Sequence, residues 1–387
     1  MYYIGIDISK YKHDCFIATE AGEVINDNFS FTNNNEGFNQ LLLILKSLDN
    51  SKEIRIGLEA TGHYGINLRK FLEDHNYSYM EFNPFLVKKF ISSTTLRRTK
   101  TDKVDSFIIY QYLSSVTYKP NPFQFYHNFT LKSLCRIRDS LIKQRSIYLV
   151  TITNILDLAF PEFKPFFNNK FSATSLFILN KYGLADKIKN MKDFDSIKNC
   201  ARGRFSYTQF LKLKDLAKNT IGISDENLTF QLSIYLNLYK NLNDSIIEIE
   251  NKIEIIIKEL NPPTLSIPGI GLISCAGILS EYGDISNFKS PDAMVAFAGL
   301  EPSIIQSGTQ EFKGRMVKRG SGHLRYLLMN LAGYVVLHNN TFADYYHKKR
   351  NEGKCHRVAL SHVAKKLIRL IYCLETTQTF YDSLKIK

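Results

Sequence analysis

Four acids and one serine are the residues of this chain whose types and spacing could do chemistry. Asp102 and Asp105 stand three apart in Lys-Thr-Asp-Lys-Val-Asp, directly after the basic run Arg97, Arg98 and Lys100. A helical pattern follows (Phe107, Ile108, Tyr110, Tyr112, Leu113), and on a helix positions i and i+3 share a face. Two like charges ~4 Å apart repel by about 4 kcal/mol at an effective dielectric near 20. Acids gathered in this way supply ligands to a cation. Asp7 stands at the end of an apolar strand-like stretch, residues 2–8, and Glu59 at the end of another, residues 54–58. Each acid alone has a plainer use: a turn residue at a strand end, an acid at a helix start, an N-cap. The set of four beside basic residues points to a metal site.

Neighbouring strands that end at one sheet edge would bring Asp7 and Glu59 together, with the helix carrying Asp102 and Asp105 packed against that edge. This is the arrangement of a ribonuclease-H-like fold. Its two metal ions, ~3.5–4 Å apart, clamp the attacking and leaving oxygens of a phosphoryl transfer. Mg²⁺ suits such hard oxygen donors. Ser307 lies in a Ser-Gly turn within a Gly-rich basic stretch that contains Lys313, Arg315, Lys318, Arg319 and Arg325 against Glu311 alone. A serine ringed by such donors can be a nucleophile toward a phosphodiester, although a turn serine is the ordinary use of this residue.

The elements that must position these groups read as follows. Strands at 2–8, 13–19, 24–31, 54–58 and 77–82 alternate in their later part with helices, which predicts a mixed-sheet α/β domain over 1–128. Residues 129–262 form a helical segment. Its first helix, 129–160, carries Lys132, Arg136 and Lys143 on one face, which either tracks a phosphate backbone or is simply solvated. Residues 161–224 show short helical patterns and no assignable role. From Leu228 to Leu260 apolar residues recur in steps of four and three, an a/d seam of more than four heptads. A helix of this length, ~50 Å, favours self-association over packing on the 129–160 helix. The third region, 263–387, is mainly helical. It opens on Ile-Pro-Gly269-Ile-Gly271, similar to a helix-hairpin-helix turn whose glycines admit a phosphate.

The net charge is +13, with 50 Lys+Arg against 37 Asp+Glu. That excess favours a polyanionic partner, nucleic acid first. No signal peptide or long apolar run is present, which argues against a membrane role and for a cytoplasmic location; a nucleic-acid partner would place its action at the nucleoid. The six cysteines have no metal-ligand spacing and read as reduced packing residues.

Taken together, Ile-Gly-Ile-Asp7, Glu59-Ala-Thr-Gly, Lys-Thr-Asp102-Lys-Val-Asp105, Ile-Pro-Gly-Ile-Gly, Phe-Ala-Gly-Leu-Glu-Pro and Ser307-Gly with Lys-Arg-Gly-Ser-Gly-His-Leu-Arg resemble the DEDD transposases of bacterial insertion sequences, the RNA-guided recombinases of the IS110 kind. The motifs keep the family's order over residues 3–112 and about 264–335. The resemblance implies a RuvC-like N-terminal domain, a coiled-coil segment and a C-terminal transposase domain. It implies that Asp7, Glu59, Asp102 and Asp105 bind two Mg²⁺ ions. Ser307 would attack DNA to give a 5′-phosphoserine, with strand exchange through a Holliday junction. It further implies element-end and target DNA as substrates, a structured non-coding guide RNA and a homo-oligomer, dimer or tetramer. Residues 161–224 look like an insertion relative to compact members.

Three other readings stand beside this one. The first is a Holliday-junction-resolving metal nuclease that uses water. The second is a sugar-kinase or actin-like phosphotransferase, which would want a second glycine after Asp7 where the chain has Ile8-Ser9. The third is a non-enzymatic nucleic-acid-binding protein.

Overall fold

The computed structural model describes residues 1–49, 51–60, 62–94, 102–121, 125–307 and 310–383, with the backbone alone at 94, 102–103, 125–128, 303–307 and 310–315. The chain divides into two units, Met1–His127 and Asn128–Lys387.

The first unit holds β1 (Tyr2–Ile8), β2 (Lys12–Thr19), β3 (Val24–Thr32), α1 (Asn35–Ser47), β4 (Ile54–Glu59), α2 (Ile66–Asp74), β5 (Tyr79–Phe82), α3 (Pro84–Thr94) and α4 (Asp102–Ser115). The strands form one mixed sheet in the order β3-β2-β1-β4-β5. β1 is antiparallel to β2 and parallel to β4. Side chains alternate across a strand, so β1 feeds two cores. Ile4, Ile6 and Ile8 pack with Leu41, Leu45, Leu68 and Leu72 from α1 and α2. Tyr3 packs with Val87, Ile109 and Leu113 from α3 and α4. Asn34 caps α1, accepting from the Gly37 amide at 2.9 Å.

In the second unit the long helices α5 (Phe125–Ala159) and α11 (Glu226–Leu260) flank five short ones: α6 (Phe163–Phe166), α7 (Ala173–Tyr182), α8 (Ala185–Ile188), α9 (Phe194–Cys200) and α10 (Tyr207–Lys218). The seam read from the sequence exists as one 35-residue helix, but the chain covers much of it itself. α11 runs antiparallel to α5. Arg138 meets Glu250 at 2.7 Å, Arg145 meets Asn243 at 3.0 Å, and Tyr148 lies against Tyr235. Ile253 and Ile257 are buried with Leu131 and Cys135 of α5, while Leu232 and Leu236 join Ile152 and Leu156. Packing on the 129–160 helix, which the sequence reading ranked second to self-association, is thus present within the chain. A repeat of apolar positions fixes which face is covered and not what covers it.

Residues 263–387 contain α12 (Leu272–Tyr282), α13 (Pro291–Phe297), β6 (Pro302–Ser307), β7 (Gln310–Met316), α14 (Gly322–His338), α15 (Asn340–Asn351) and α16 (His356–Thr377). The helices enclose a core that includes Cys275, Met294, Leu328 and Ile368. β6 and β7 pair as an antiparallel hairpin, an element the sequence reading did not include. Among the described residues no helix is long and apolar enough to cross a membrane.

Candidate active site

Two glycines explain why the sheet edge and α4 meet so closely. Gly5 of β1 and Gly57 of β4 are register partners. A Cβ on Gly5 would collide with the Ser106 carbonyl and the Tyr110 amide, both backbone atoms of α4. A Cβ on Gly57 would lie 2.7 Å from the Phe82 ring and 3.3 Å from Leu113. The glycines thus mark the face on which α4 lies. With a side-chain period of two, Asp7 and Glu59 project from the same face, two residues further along each strand. Their register continues the pair Ile6 and Leu58, so the two acids are neighbours at one sheet edge. Both are half-buried.

The direction of α4 follows from its contacts. Tyr110 packs on Tyr3 with ring centroids 6.5 Å apart, and Ser106, one turn earlier, reaches Gly5. The start of α4 is therefore the end nearer Asp7, and Asp105 adjoins the buried Ser106. Asp102 is the first residue of α4, described by its backbone. Arg97, Arg98 and Lys100 lie outside the described residues. The four acids offer only carboxylate oxygens, the hard donors that Mg²⁺ takes. Among the described residues, which leave out the Asp102 side chain, no three His, Cys, Asp or Glu are grouped as a metal site.

A further acid flanks the row. Asp14 of β2 is the register partner of Asp7, so it shares that face, yet only 2% of it is exposed. The Ser30 hydroxyl donates to it, and the Lys12 ammonium lies 3.2 Å away. These partners let a carboxylate stay buried. The sequence carried a signal for Asp14: alternation along β2 puts it on the face of Phe16, which packs on Phe107 of α4. On the opposite face His13 is buried. Burial pushes its imidazole below the ordinary range, against the pull of Asn33 and Asp14.

In the second unit the β6–β7 hairpin is fastened at its base. The Val317 amide donates to the Glu301 carbonyl at 2.7 Å. Gly299, at φ +66°, leaves room for the Arg325 guanidinium, and Gly320, at φ +118°, lies where a Cβ would strike the Phe297 carbonyl. These glycines come from Phe-Ala-Gly-Leu-Glu-Pro and Lys-Arg-Gly-Ser-Gly-His-Leu-Arg, so the two motifs join at the backbone. Ser307 is the last residue of β6, paired with Gln310 across the end of the hairpin. Lys313 and Arg315 lie on β7, while Lys318 and Arg319 are exposed just beyond it. Arg325 stands at the hairpin base, its Nη1 a buried atom without a hydrogen-bond partner among the described residues.

The base is tied to α5 by a buried carboxylate that sequence reasoning missed. Glu281 of α12, 3% exposed, accepts from Arg136 at 2.7 and 3.2 Å and lies 3.6 Å from Lys132. The Ser321 hydroxyl is 3.2 Å from it, and the same serine caps α14 at Leu324. Burial alone would raise the Glu281 carboxyl, but the Arg136 guanidinium, with Lys132 and His323, holds it below the ordinary range. His323 Nε2 lies 3.1 Å from Asp139 of α5. Lys132 and Arg136 are thus engaged inside the chain. The signal available in the sequence was a single charge within the apolar run Leu272–Tyr282.

The Pro-Gly turn has a mixed outcome. Gly269, at φ +94°, packs 2.9 Å, counted from a Cβ built on it, from the Val335 backbone of α14. Gly271 is exposed and precedes α12 with open space where a side chain would be.

Two family models match this chain. One, described as a transposase, matches residues 4–161, and one described as the transposase IS116/IS110/IS902 family matches residues 264–347. The pilin gene-inverting protein of Moraxella bovis is 25% identical over 392 residues, covering 96% of this chain and 95% of the relative. The transposase for insertion sequence element IS1111A of Coxiella burnetii is 25% identical over 216 residues, 55% of this chain and 49% of the relative. The 43.6 kDa protein of insertion element IS110 from Streptomyces coelicolor is 30% identical over 125 residues, 32% of this chain and 31% of the relative.

Proposed function

The chain belongs to the IS110/IS116 family of DNA transposases, and from that premise we propose that it cuts and rejoins the DNA of an insertion sequence with two separate sets of groups. One is the acid set Asp7, Glu59, Asp102 and Asp105 on a RuvC-like sheet; the other is Ser307. The observation that carries the acid set is the in-register pair Asp7 and Glu59 beside Gly5 and Gly57, on the face that α4 covers. The strand order β3-β2-β1-β4-β5 supports the ribonuclease-H-like reading.

In this reading the acids hold Mg²⁺, which when bound offsets the phosphate's negative charge. The Ser307 oxygen bonds phosphorus as the bond from phosphorus to the 3′ oxygen breaks. The serine proton passes to the departing 3′ oxygen, leaving a 5′-phosphoserine and a free 3′-hydroxyl. Attack by the 3′-hydroxyl of another strand reverses the step and frees the serine, so no outside energy source is needed. A relative named for inverting a gene, aligned over nearly the whole chain, supports rejoining as well as cutting. We include in the proposal a structured non-coding RNA as guide, and a homo-oligomer as the acting form. The charge of +13 suits both DNA and RNA.

The test uses the full chain with element-end DNA and Mg²⁺. Wild type gives a protein–DNA adduct, Ser307→Ala gives none, and Asp7→Asn gives neither adduct nor nicked DNA. An undiminished adduct in Ser307→Ala removes the serine from its role. Free 5′-phosphate ends with no adduct in the wild type would make the chain a water-using metal nuclease.

A further inference from the structure

Residues 161–224 fall outside both core motif sets, and the acid site and the hairpin make no use of them. They carry 12 Lys and Arg against 5 Asp and Glu, more than half of the chain's positive excess in a sixth of its length. Several of these acids are already occupied. Lys181 takes Asp193, Lys189 and Ser224 take Asp186, and Thr220 with the Ile221 amide takes Glu162. The lobe therefore presents its basic side chains largely uncompensated.

A cleft of about 600 Å³ opens in this lobe, within the size range of ligand sites. Its walls differ in kind. Phe166 and Phe167, half-buried, form an aromatic wall that continues into the buried Phe205. Arg202 and Arg204, both exposed, line the cleft from the turn that leads into Phe205. Arg202 and Gly203 are both in the left-handed region, at φ 50° and 78°, which turns the chain sharply between the two arginines. Neither guanidinium has an ion-pair or hydrogen-bond partner among the described residues, although each carries donors in a fork that fits phosphate. The first turn of α7, capped by Ser172, closes the third side, and a helix start favours an anion.

Aromatic faces beside unpaired arginines are what an unpaired nucleotide needs. Its base stacks on a ring and its phosphate takes the charge. A duplex keeps its bases stacked on each other and offers this cleft only backbone. We propose that the cleft binds an unpaired nucleotide segment, with a base on Phe166 and Phe167 and its phosphates on Arg202 and Arg204. The choice of ligand rests on the reading of the chain as a nucleic-acid enzyme; the two are tested apart.

The experiment measures fluorescence anisotropy of the full chain with single-stranded RNA, single-stranded DNA of the same sequence, and duplex DNA. The Arg202→Ala/Arg204→Ala variant is expected to bind the single strands about tenfold more weakly, with the slope of log affinity against log salt reduced by about 1.4, the value for two lost phosphate contacts. Duplex affinity is expected to fall by clearly less, because a duplex offers the cleft phosphates without a base to stack. Phe166→Ser, checked for an unaltered unfolding midpoint, is expected to weaken single-strand binding with no change in salt slope, because it removes stacking alone. A stronger effect on RNA would identify a guide-type ligand, and one on DNA a displaced strand; both agree with the proposal. Unchanged single-strand affinity in the double variant overturns it, and so does an equal loss on duplex. Asp7→Asn is expected to retain single-strand binding. A wild type that forms no adduct but keeps the cleft's binding would refute the catalytic reading and leave this one standing.

Discussion

Gly5→Ala tests the seating of α4 on the sheet with a single added methyl group. The new Cβ meets the Ser106 carbonyl oxygen and the Tyr110 amide nitrogen, and lies 2.9 Å from the Tyr110 Cα. All three are backbone atoms of one helix, so no rotamer change relieves the clash. Ordinary contact at these atoms requires α4 to rise by roughly 1 Å, and overpacking of this kind costs about 1–3 kcal/mol. In the proposed four-acid site the rise also separates Asp102 and Asp105 from Asp7 and Glu59, and a misplacement of ~1 Å lowers a reaction by about a hundredfold. Gly57→Ala is the internal comparison. Its Cβ meets the Phe82 ring and the Leu113 side chain, which can shift, so its effect on both quantities is smaller. Chemical denaturation gives the stability of each variant, and a nicking assay on element-end DNA gives the rate. A Gly5→Ala protein as stable and as active as wild type, or a Gly57→Ala protein more damaged than Gly5→Ala, would refute the placement of α4.

Other consequences are open to measurement. Glu281→Ala leaves Arg136 without its buried partner; because Arg136 is itself half exposed, we expect about 1–3 kcal/mol of destabilisation, below the full cost of a broken buried pair, with Glu281→Gln intermediate. Equal stability of Glu281→Ala and wild type in urea would show that the network does not hold the hairpin base. Burial lowers the folded-state pKa of His13, so the unfolded chain binds the extra proton. Its contribution to stability is present above about pH 6.5 and is lost as pH falls below that value. A melting curve followed from pH 8 to pH 5 should show this slope reduced in His13→Asn, and an unchanged slope would acquit His13. Ile253→Asn should destabilise by about 2–4 kcal/mol independently of protein concentration, because its contacts lie within one chain; a loss that disappears at high concentration would mean that a second chain covers it.

Much of the first unit was legible because its strands obey a simple alternation. Ile4, Ile6 and Ile8 face one core, and Tyr3 of the same strand faces the other. Asp7 and Glu59 were legible as strand-end acids, but Gly5 passed as part of its motif and Gly57 as one more residue of its strand. Their role depends on side chains and backbone far along the chain, Ser106 and Tyr110 for Gly5 and Leu113 for Gly57, and a strand glycine indicates only that some backbone approaches closely. The seam from Leu228 to Leu260 was legible as a period, but its partner within the chain was not, since Leu131 and Cys135 announce no such pairing. The β6–β7 hairpin was not legible at all: Pro302–Met316 lacks a sustained apolar alternation, and its strands are held by the glycines at its base. Likewise the basic face of α5 looked like a surface because its acid, Glu281, lies 145 positions along the chain from Arg136.

Because the hairpin enters and leaves the domain at one point, between Glu301 and Val317, its length is independent of everything beneath it. Adding one residue to each strand would carry the end of the arm about 3.4 Å outward and move the Ser307 position to the other side of the ribbon. Adding two would carry it about 7 Å outward and restore the original side. Reach and orientation are therefore linked by parity. With Ser307 as the proposed nucleophile, a series of arms lengthened step by step should alternate between dead and active proteins for as long as the serine's target lies within range.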